Sequence, residues 1–141
     1  MSIGEILAGK QSVISATPAT PVRAILKLLD DHRIGAVLIS QDDTIRGILS
    51  ERDIVTALHR RGDAILDAAA ETVMTAPVVT AAPGTSIAEA MATMTNRRIR
   101  HLPVVGADGA LVGLVSIGDL VKRRIEEAEH EATTLKEYIA S

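Results

Sequence analysis

The chain repeats itself. Residues 13–39 align with residues 78–104 at an offset of 65, so that Val13, Ala16, Pro18, Thr20, Arg33 and Ile34 recur as Val78, Ala81, Pro83, Thr85, Arg98 and Ile99. One extra residue in the following turn brings 45–55 onto 111–121, where Gly47, Ser50, Asp53 and Val55 recur as Gly113, Ser116, Asp119 and Val121. A duplication constrains a fold strongly, because whatever one half forms, the other half forms too. Each half is also small, and a unit of about 60 residues buries too little surface to be comfortable alone. Two halves packed through their sheets about a pseudo-twofold axis would share one core.

Each half reads as strand, helix, two strands, helix. Short strands are expected at Val13–Ser15 and Val78–Thr80, each followed by a turn containing proline. Thr20 and Thr85 suit helix N-caps, and Pro21 suits the first helical position, where a missing N–H costs nothing. Val22, Ile25, Leu26 and Leu29 fall at i, i+3, i+4 and i+7, as do Ile87, Ala90, Met91 and Met94, so each helix buries one apolar stripe. Two apolar runs follow in each half: Ala36–Ile39 and Ile45–Leu49, then Leu102–Val105 and Leu111–Val115. Short apolar runs between turn residues read as strands. Ser50 and Ser116 then open the closing helices. The expected fold is α+β, two β-α-β-β-α repeats with an amphipathic helix at the C-terminus. The layout is an N-terminal segment or short helix at 1–12, repeat 1 at 13–60, a linker at 61–77, repeat 2 at 78–123 and a helical extension at 124–141. Within the linker, Arg60, Arg61, Gly62 and Asp63 break the helix, and the Ala-rich stretch 64–70 reads as another short helix. Val121, Ile125, Ala128, Ala132, Leu135 and Ile139 are spaced 4, 3, 4, 3 and 4 along the extension, a heptad-like seam for its own domain or for a second subunit.

Composition narrows the function. Of 141 residues one is Tyr and none is Phe or Trp, so the core is aliphatic and a base-stacking nucleic-acid platform is not expected. There is no cysteine, which removes disulfides, thiolate catalysis and Cys-ligated metals. The formal net charge is −3, unlike a general nucleic-acid binder. No run of about 18 apolar residues offers a membrane span, and the N-terminus lacks the pattern of a signal peptide. A cytoplasmic protein that binds neither membrane nor nucleic acid is expected.

The duplicated segments Gly47-Ile48-Leu49-Ser50-Glu51-Arg52-Asp53 and Gly113-Leu114-Val115-Ser116-Ile117-Gly118-Asp119 resemble the signature of CBS domains. The preceding Ile34-Gly35-Ala36-Val37-Leu38 and Ile99-Arg100-His101-Leu102-Pro103 resemble the other family signature. Over about residues 10–125 the chain resembles a tandem CBS pair, the Bateman module, and its tail resembles that of small stand-alone bacterial proteins of this kind. The resemblance implies two clefts at the interface of the repeats that bind adenosine-containing ligands: AMP, ADP, ATP or NAD(H), with magnesium only as the companion of ATP. It also implies a regulatory role exerted on a separate, unknown partner, and a homodimer.

The site residues follow from that resemblance, each beside a plainer explanation. Asp53 and Asp119 would accept ribose hydroxyls, or would only complement a helix N-terminus. Ser50 and Ser116 would touch phosphate or ribose, or only cap. Arg100 would grip phosphate and His101 donate to the ligand, against a solvated charge and a packed histidine. Ile14 and Val79 would flank the purine, or be core. One site would combine Asp119, Ser116, Arg100 and His101 with backbone at Ile14, Gly35 and Ala36. The other would combine Asp53, Ser50 and Arg52 with Val79 and backbone near Leu102. Leu38 stands where repeat 2 has Pro103, and Arg52 where it has Gly118, so the sites should differ.

Other patterns carry less. Gly4–Lys10 imitates the start of a P-loop, but Gln11 replaces the hydroxyl residue that holds magnesium and no strand precedes it. Lys10 could still reach a phosphate. Glu127, His130 and Glu131 share a helix face but read as solvated charge, and no metal site is expected. Ser116, His101 and Asp119 have the residue types of a triad without a nucleophile elbow, so no catalytic residues are assigned. The competing functions are a structural dimerisation protein with a vestigial cleft and, remotely, a nucleotide hydrolase.

Overall fold

The computed structural model describes residues 1–9 and 12–140. Lys10, the phosphate-contact candidate, lies outside the described residues. The elements run α1 (Ile3–Leu7), β1 (Ser15–Ala16), α2 (Val22–His32), β2 (Ala36–Gln41), β3 (Thr44–Ser50), α3 (Glu51–Arg61), α4 (Ile87–Arg97), β4 (His101–Val105), β5 (Leu111–Ser116) and α5 (Ile117–Ala140). Two 3-10 turns, Asp63–Asp67 and Ala70–Thr72, follow α3. The fold is α+β. It divides into two compact units: Ser12–Val79, and the described residues before position 12 together with those from Thr80 onward.

In the unit of repeat 1, β1 runs parallel to β2, with Ser15 opposite Leu38 and Ala16 opposite Ile39. β2 and β3 form an antiparallel hairpin whose turn residues, Asp42 and Asp43, have φ of 52° and 61°. Such left-handed pairs match the twist of the strands they join, and Asp tolerates them better than most residues. Helix α2 lays Val22, Ile25 and Leu29 on Val37, Ile39 and Leu49 to form the core. Leu26, the fourth residue of the expected stripe, sits at its edge and is 37% exposed. Helix α3 adds Ile54 and Ala57, then stops at Gly62, whose φ of 78° is a conformation L side chains rarely adopt. The unit of repeat 2 repeats this plan. Ile87, Ala90 and Met94 of α4 are buried with Leu102 and Val104 of β4, Val115 of β5 and Leu120 of α5.

Four local expectations change. The α4 cap is Ser86, not Thr85. Its side chain accepts from Glu89 N at 3.1 Å while the Glu89 carboxylate accepts from Ser86 N at 3.3 Å, a reciprocal pair that Thr85 has no partner to make. Pro21 likewise sits at the α2 cap with extended backbone, and Thr20 closes the preceding turn on Thr17 instead. The first strand of repeat 2 shrinks to a single parallel bridge between Ala81 and Val104. In repeat 1 Leu38 N donates to Ile14 O at 3.2 Å. Its counterpart Pro103 has no N–H to give, so the ladder starts one step later, with Ala81 N donating to Pro103 O at 2.9 Å. Finally, the Ala-rich stretch forms 3-10 turns rather than an α-helix.

The duplication reaches further than the sequence alignment. In repeat 1 Val22 N donates to Ala68 O, Ala70 N to Thr20 O and Glu71 N to Pro18 O. In repeat 2 Ile87 N donates to Met1 O, Ile3 N to Thr85 O and Gly4 N to Pro83 O. The two triplets correspond residue for residue, so segment 1–8 is the counterpart of segment 68–75. Ile3 and Ala70 are both fully buried. The segment that leads repeat 1 in sequence therefore packs on repeat 2, and the segment that leads repeat 2 packs on repeat 1.

Candidate functional site

The two Ser-x-x-Asp turns open α3 and α5. At the first, Asp53 Oδ2 accepts from Ser50 N at 2.9 Å and from Ser50 Oγ at 3.0 Å, while Asp53 N donates to Ser50 Oγ at 3.2 Å. At the second, Asp119 Oδ2 accepts from Ser116 N at 2.8 Å and Asp119 N donates to Ser116 Oγ at 3.1 Å. Both pairs satisfy helix-entry donors that would otherwise be orphaned, and both put a half-buried carboxylate where the helix dipole is positive. Capping is thus a role these serines and aspartates fill without any ligand.

The strand ahead of each helix is tied to it in the same way. Gly35 O accepts from Glu51 N at 3.0 Å, and Arg100 O accepts from Ile117 N at 2.8 Å. Ala36 is the cross-strand partner of Ser50, and His101 that of Ser116. The structure thus brings Gly35, Ala36, Ser50 and Asp53 to one corner of the first unit. Arg100, His101, Ser116 and Asp119 form the equivalent corner of the second. The corners differ in charge. Gly35 and a fully buried Ala36 offer backbone alone, while Arg100 is exposed and His101 half-buried. Arg52 and Gly118 are equivalent and exposed, and a Cβ at Gly118 would meet only Ser116 Oγ at 3.6 Å.

The remaining residues sit deeper or outside the strands. Ile14 precedes β1, packs on the core of its unit and gives its carbonyl to Leu38. Val79 is half-buried and lies outside any strand. Leu102 and Pro103 are buried in β4, so backbone is what they can show a ligand, and the Pro103 carbonyl already holds Ala81 N. Among the described residues no group of three or more His, Asp or Glu could hold a metal ion. No helix among them is long and apolar enough to cross a membrane.

Thr75 carries no motif that marks it in the sequence, yet it belongs to the first corner. Its Oγ1 donates to Asp53 Oδ1 at 2.9 Å, so both oxygens of that carboxylate have donors within the chain. Its backbone pairs with Ile48 of β3 in both directions. The counterpart position in repeat 2 is Ala8, which has no hydroxyl. The signal that could have exposed it is the spacing of Ile3, Ile6 and Leu7, matched by Ala70, Val73 and Met74.

Comparison with known proteins supplies the family. The model of the CBS domain matches residues 3–60 and 70–126. The mitochondrial CBS domain-containing protein CBSX3 of Arabidopsis thaliana is 32% identical over 119 residues. That match takes in 81% of this chain and 57% of the plant protein, so this chain spans little more than half of its relative. The crystal structure of the CBS-domain containing protein ATU1752 from Agrobacterium tumefaciens matches with a TM-score of 0.84 at 33% identity, covering 88% of this chain and 99% of that one. The CBS domain protein PAE2072 from Pyrobaculum aerophilum, solved in complex with AMP, matches with a TM-score of 0.75 at 29% identity, covering 84% of this chain and 89% of its own. The family match begins at Ile3 and again at Ala70, the two residues that the hydrogen-bond pattern makes equivalent. The chain belongs to the CBS domain family and is a tandem pair of CBS domains.

Proposed function

We propose that this protein is a regulatory module that senses an adenine nucleotide, AMP, ADP, ATP or NAD(H), and passes the signal to a separate protein. The observation that carries the reading is the pair of half-buried carboxylates, Asp53 and Asp119, each fixed at a helix entry beside a serine. A carboxylate held there can accept two ribose hydroxyls, and the N–H groups and dipole of the same helix turn favour a phosphate. The AMP complex of the Pyrobaculum relative supports the ligand class. The second unit, with Arg100 and His101 at its corner, is the better fit for the charged end of a nucleotide. No residue pair is assigned a catalytic role. Magnesium enters only as the companion of ATP, and the working form is a homodimer.

Coupling to a partner requires that the nucleotide bind two conformations with different affinity, since equal affinity shifts nothing. A structural role without ligand is favoured by one observation, that both oxygens of Asp53 already accept from donors of its own chain, Ser50 and Thr75. Asparagine separates the readings, because it keeps an oxygen for the serine N–H but removes the charge. Asp119→Asn is expected to weaken nucleotide binding ten- to a hundredfold, the loss of about 1.5–3 kcal/mol for a hydrogen bond to a charged group. Calorimetric titration measures it. Affinity unchanged in both Asp53→Asn and Asp119→Asn would contradict the assignment.

A further inference from the structure

Helix α5 carries a seam that its own chain does not cover. Leu120 is buried, but Val121 is 40% exposed, Ile125 53%, Leu135 59% and Ile139 75%. Ala128 and Ala132, between them on the same stripe, are exposed as well. The spacing of 4, 3, 4, 3 and 4 has the 3.5-residue period of a coiled coil. Ile125, Ala132 and Ile139 take the a positions of a heptad, and Val121, Ala128 and Leu135 the d positions. Ile125 and Ile139 at a with Leu135 at d match the pattern that suits two strands, while Val121, Ala128 and Ala132 do not bear on the number.

The apolar seam alone leaves the orientation open. Read backwards it gives the same series, with Val121 against Ile139, Ile125 against Leu135 and Ala128 against Ala132. The flanking charges decide. Arg124 and Glu131 stand at g, and Lys122, Glu129 and Lys136 at e. In a parallel, in-register pair each g residue meets the e residue five places on in the other helix. Arg124 then meets Glu129 and Glu131 meets Lys136, opposite charges in both cases and each made twice by symmetry. The antiparallel alignment that pairs the whole seam sets Glu129 against Glu129, Glu131 against Glu131 and Lys122 against Lys136, all repulsive, and antiparallel alignments shifted by a heptad leave two of the seam's large apolar residues without partners. The intrahelical contact of Arg124 with Glu127, at 3.4 Å, leaves the Arg124 side chain 61% exposed.

We propose that the C-terminal part of α5 pairs with the same segment of a second copy of this chain as a parallel, in-register, two-stranded coiled coil. Its seam and charges are independent of whether a nucleotide binds. The chain has no cysteine, so single introduced cysteines report the alignment cleanly. Ala128→Cys and Ala132→Cys, each alone in the full chain, are expected to form covalent dimers in a glutathione redox buffer. Light scattering across a concentration series is expected to show a dimer. Leu135→Asp should weaken it at least tenfold without changing the thermal melt of the folded units. Glu129→Lys should also weaken the dimer, and adding Arg124→Glu should restore it. A monomer at every concentration, or a dimer untouched by Leu135→Asp, would overturn the proposal. So would cross-linking that appears only when Ala128→Cys and Ala132→Cys chains are mixed.

Discussion

Gly47 and Gly113 are the same position in the two repeats, yet different things lie over them. A Cβ at Gly47 would sit 2.5 Å from Met74 Sδ and 2.9 Å from the Thr75 carbonyl, so the backbone of the 70–76 segment would have to move. A Cβ at Gly113 would meet only the side chain of Leu7, 2.7 Å away at its terminal methyl. A side-chain end can rotate, and a hydrogen-bonded carbonyl cannot follow it. Gly47→Ala is expected to cost about 1–3 kcal/mol, as overpacking usually does, and Gly113→Ala clearly less. Urea midpoints at unchanged slope would show the difference, and equal losses would contradict it. The recurrence of the two glycines was visible in the sequence. Its cause was not, because the covering residues come from segments whose kinship is carried by apolar spacing rather than by identity. The same holds at Asp53: its Ser50 partner follows from the three-residue spacing, whereas its Thr75 partner lies 22 residues on.

Among the elements, helix entries show most clearly what spacing can and cannot fix. The hydrophobic stripes of α2 and α4 followed from a 3.6-residue period, and Val22, Ile25 and Leu29 are buried as that period requires. The caps fall one residue later than expected in both helices: at α2 Thr20 is engaged by Thr17 and Pro21 takes the cap position, and at α4 threonine and serine neighbours are equally good candidates until the partner three residues on is counted. Ser86 has Glu89 at that distance. Ser86→Ala is therefore expected to cost about 1 kcal/mol of stability and Thr85→Ala much less, read from thermal or urea unfolding. A larger loss at Thr85 would move the cap back. The shortened first strand of repeat 2 has its cause in the sequence, where Pro103 stands in the place of Leu38. What a proline without its N–H does to a parallel neighbour becomes clear only when Leu38 is seen donating to Ile14.

At the scale of the whole molecule, the chain is a duplication whose leading segments have changed places. Segment 1–9 completes the unit built on residues 80–140, and segment 68–75 completes the unit built on residues 12–62. The duplicated plan, the α+β class and the two helix-entry aspartates were all legible in the sequence, because local periodicity and turn chemistry specify them. The exchange was not, since it depends on which of two similar units each short segment prefers to cover. The two helix-entry corners are not alike: Arg100 and His101 stand at one where Gly35 and Ala36 stand at the other, and Arg52 stands where the other has Gly118. Calorimetric titration of nucleotide-stripped protein with AMP, followed by ATP and NADH, addresses the sensing role itself. The expected result is saturable binding of an adenine nucleotide, weakened by Asp119→Asn, with a stability gain of about 2.7 kcal/mol at a hundredfold excess over Kd. No heat of binding and no shift in melting temperature with any of the three would contradict the sensing role and leave a structural protein in its place.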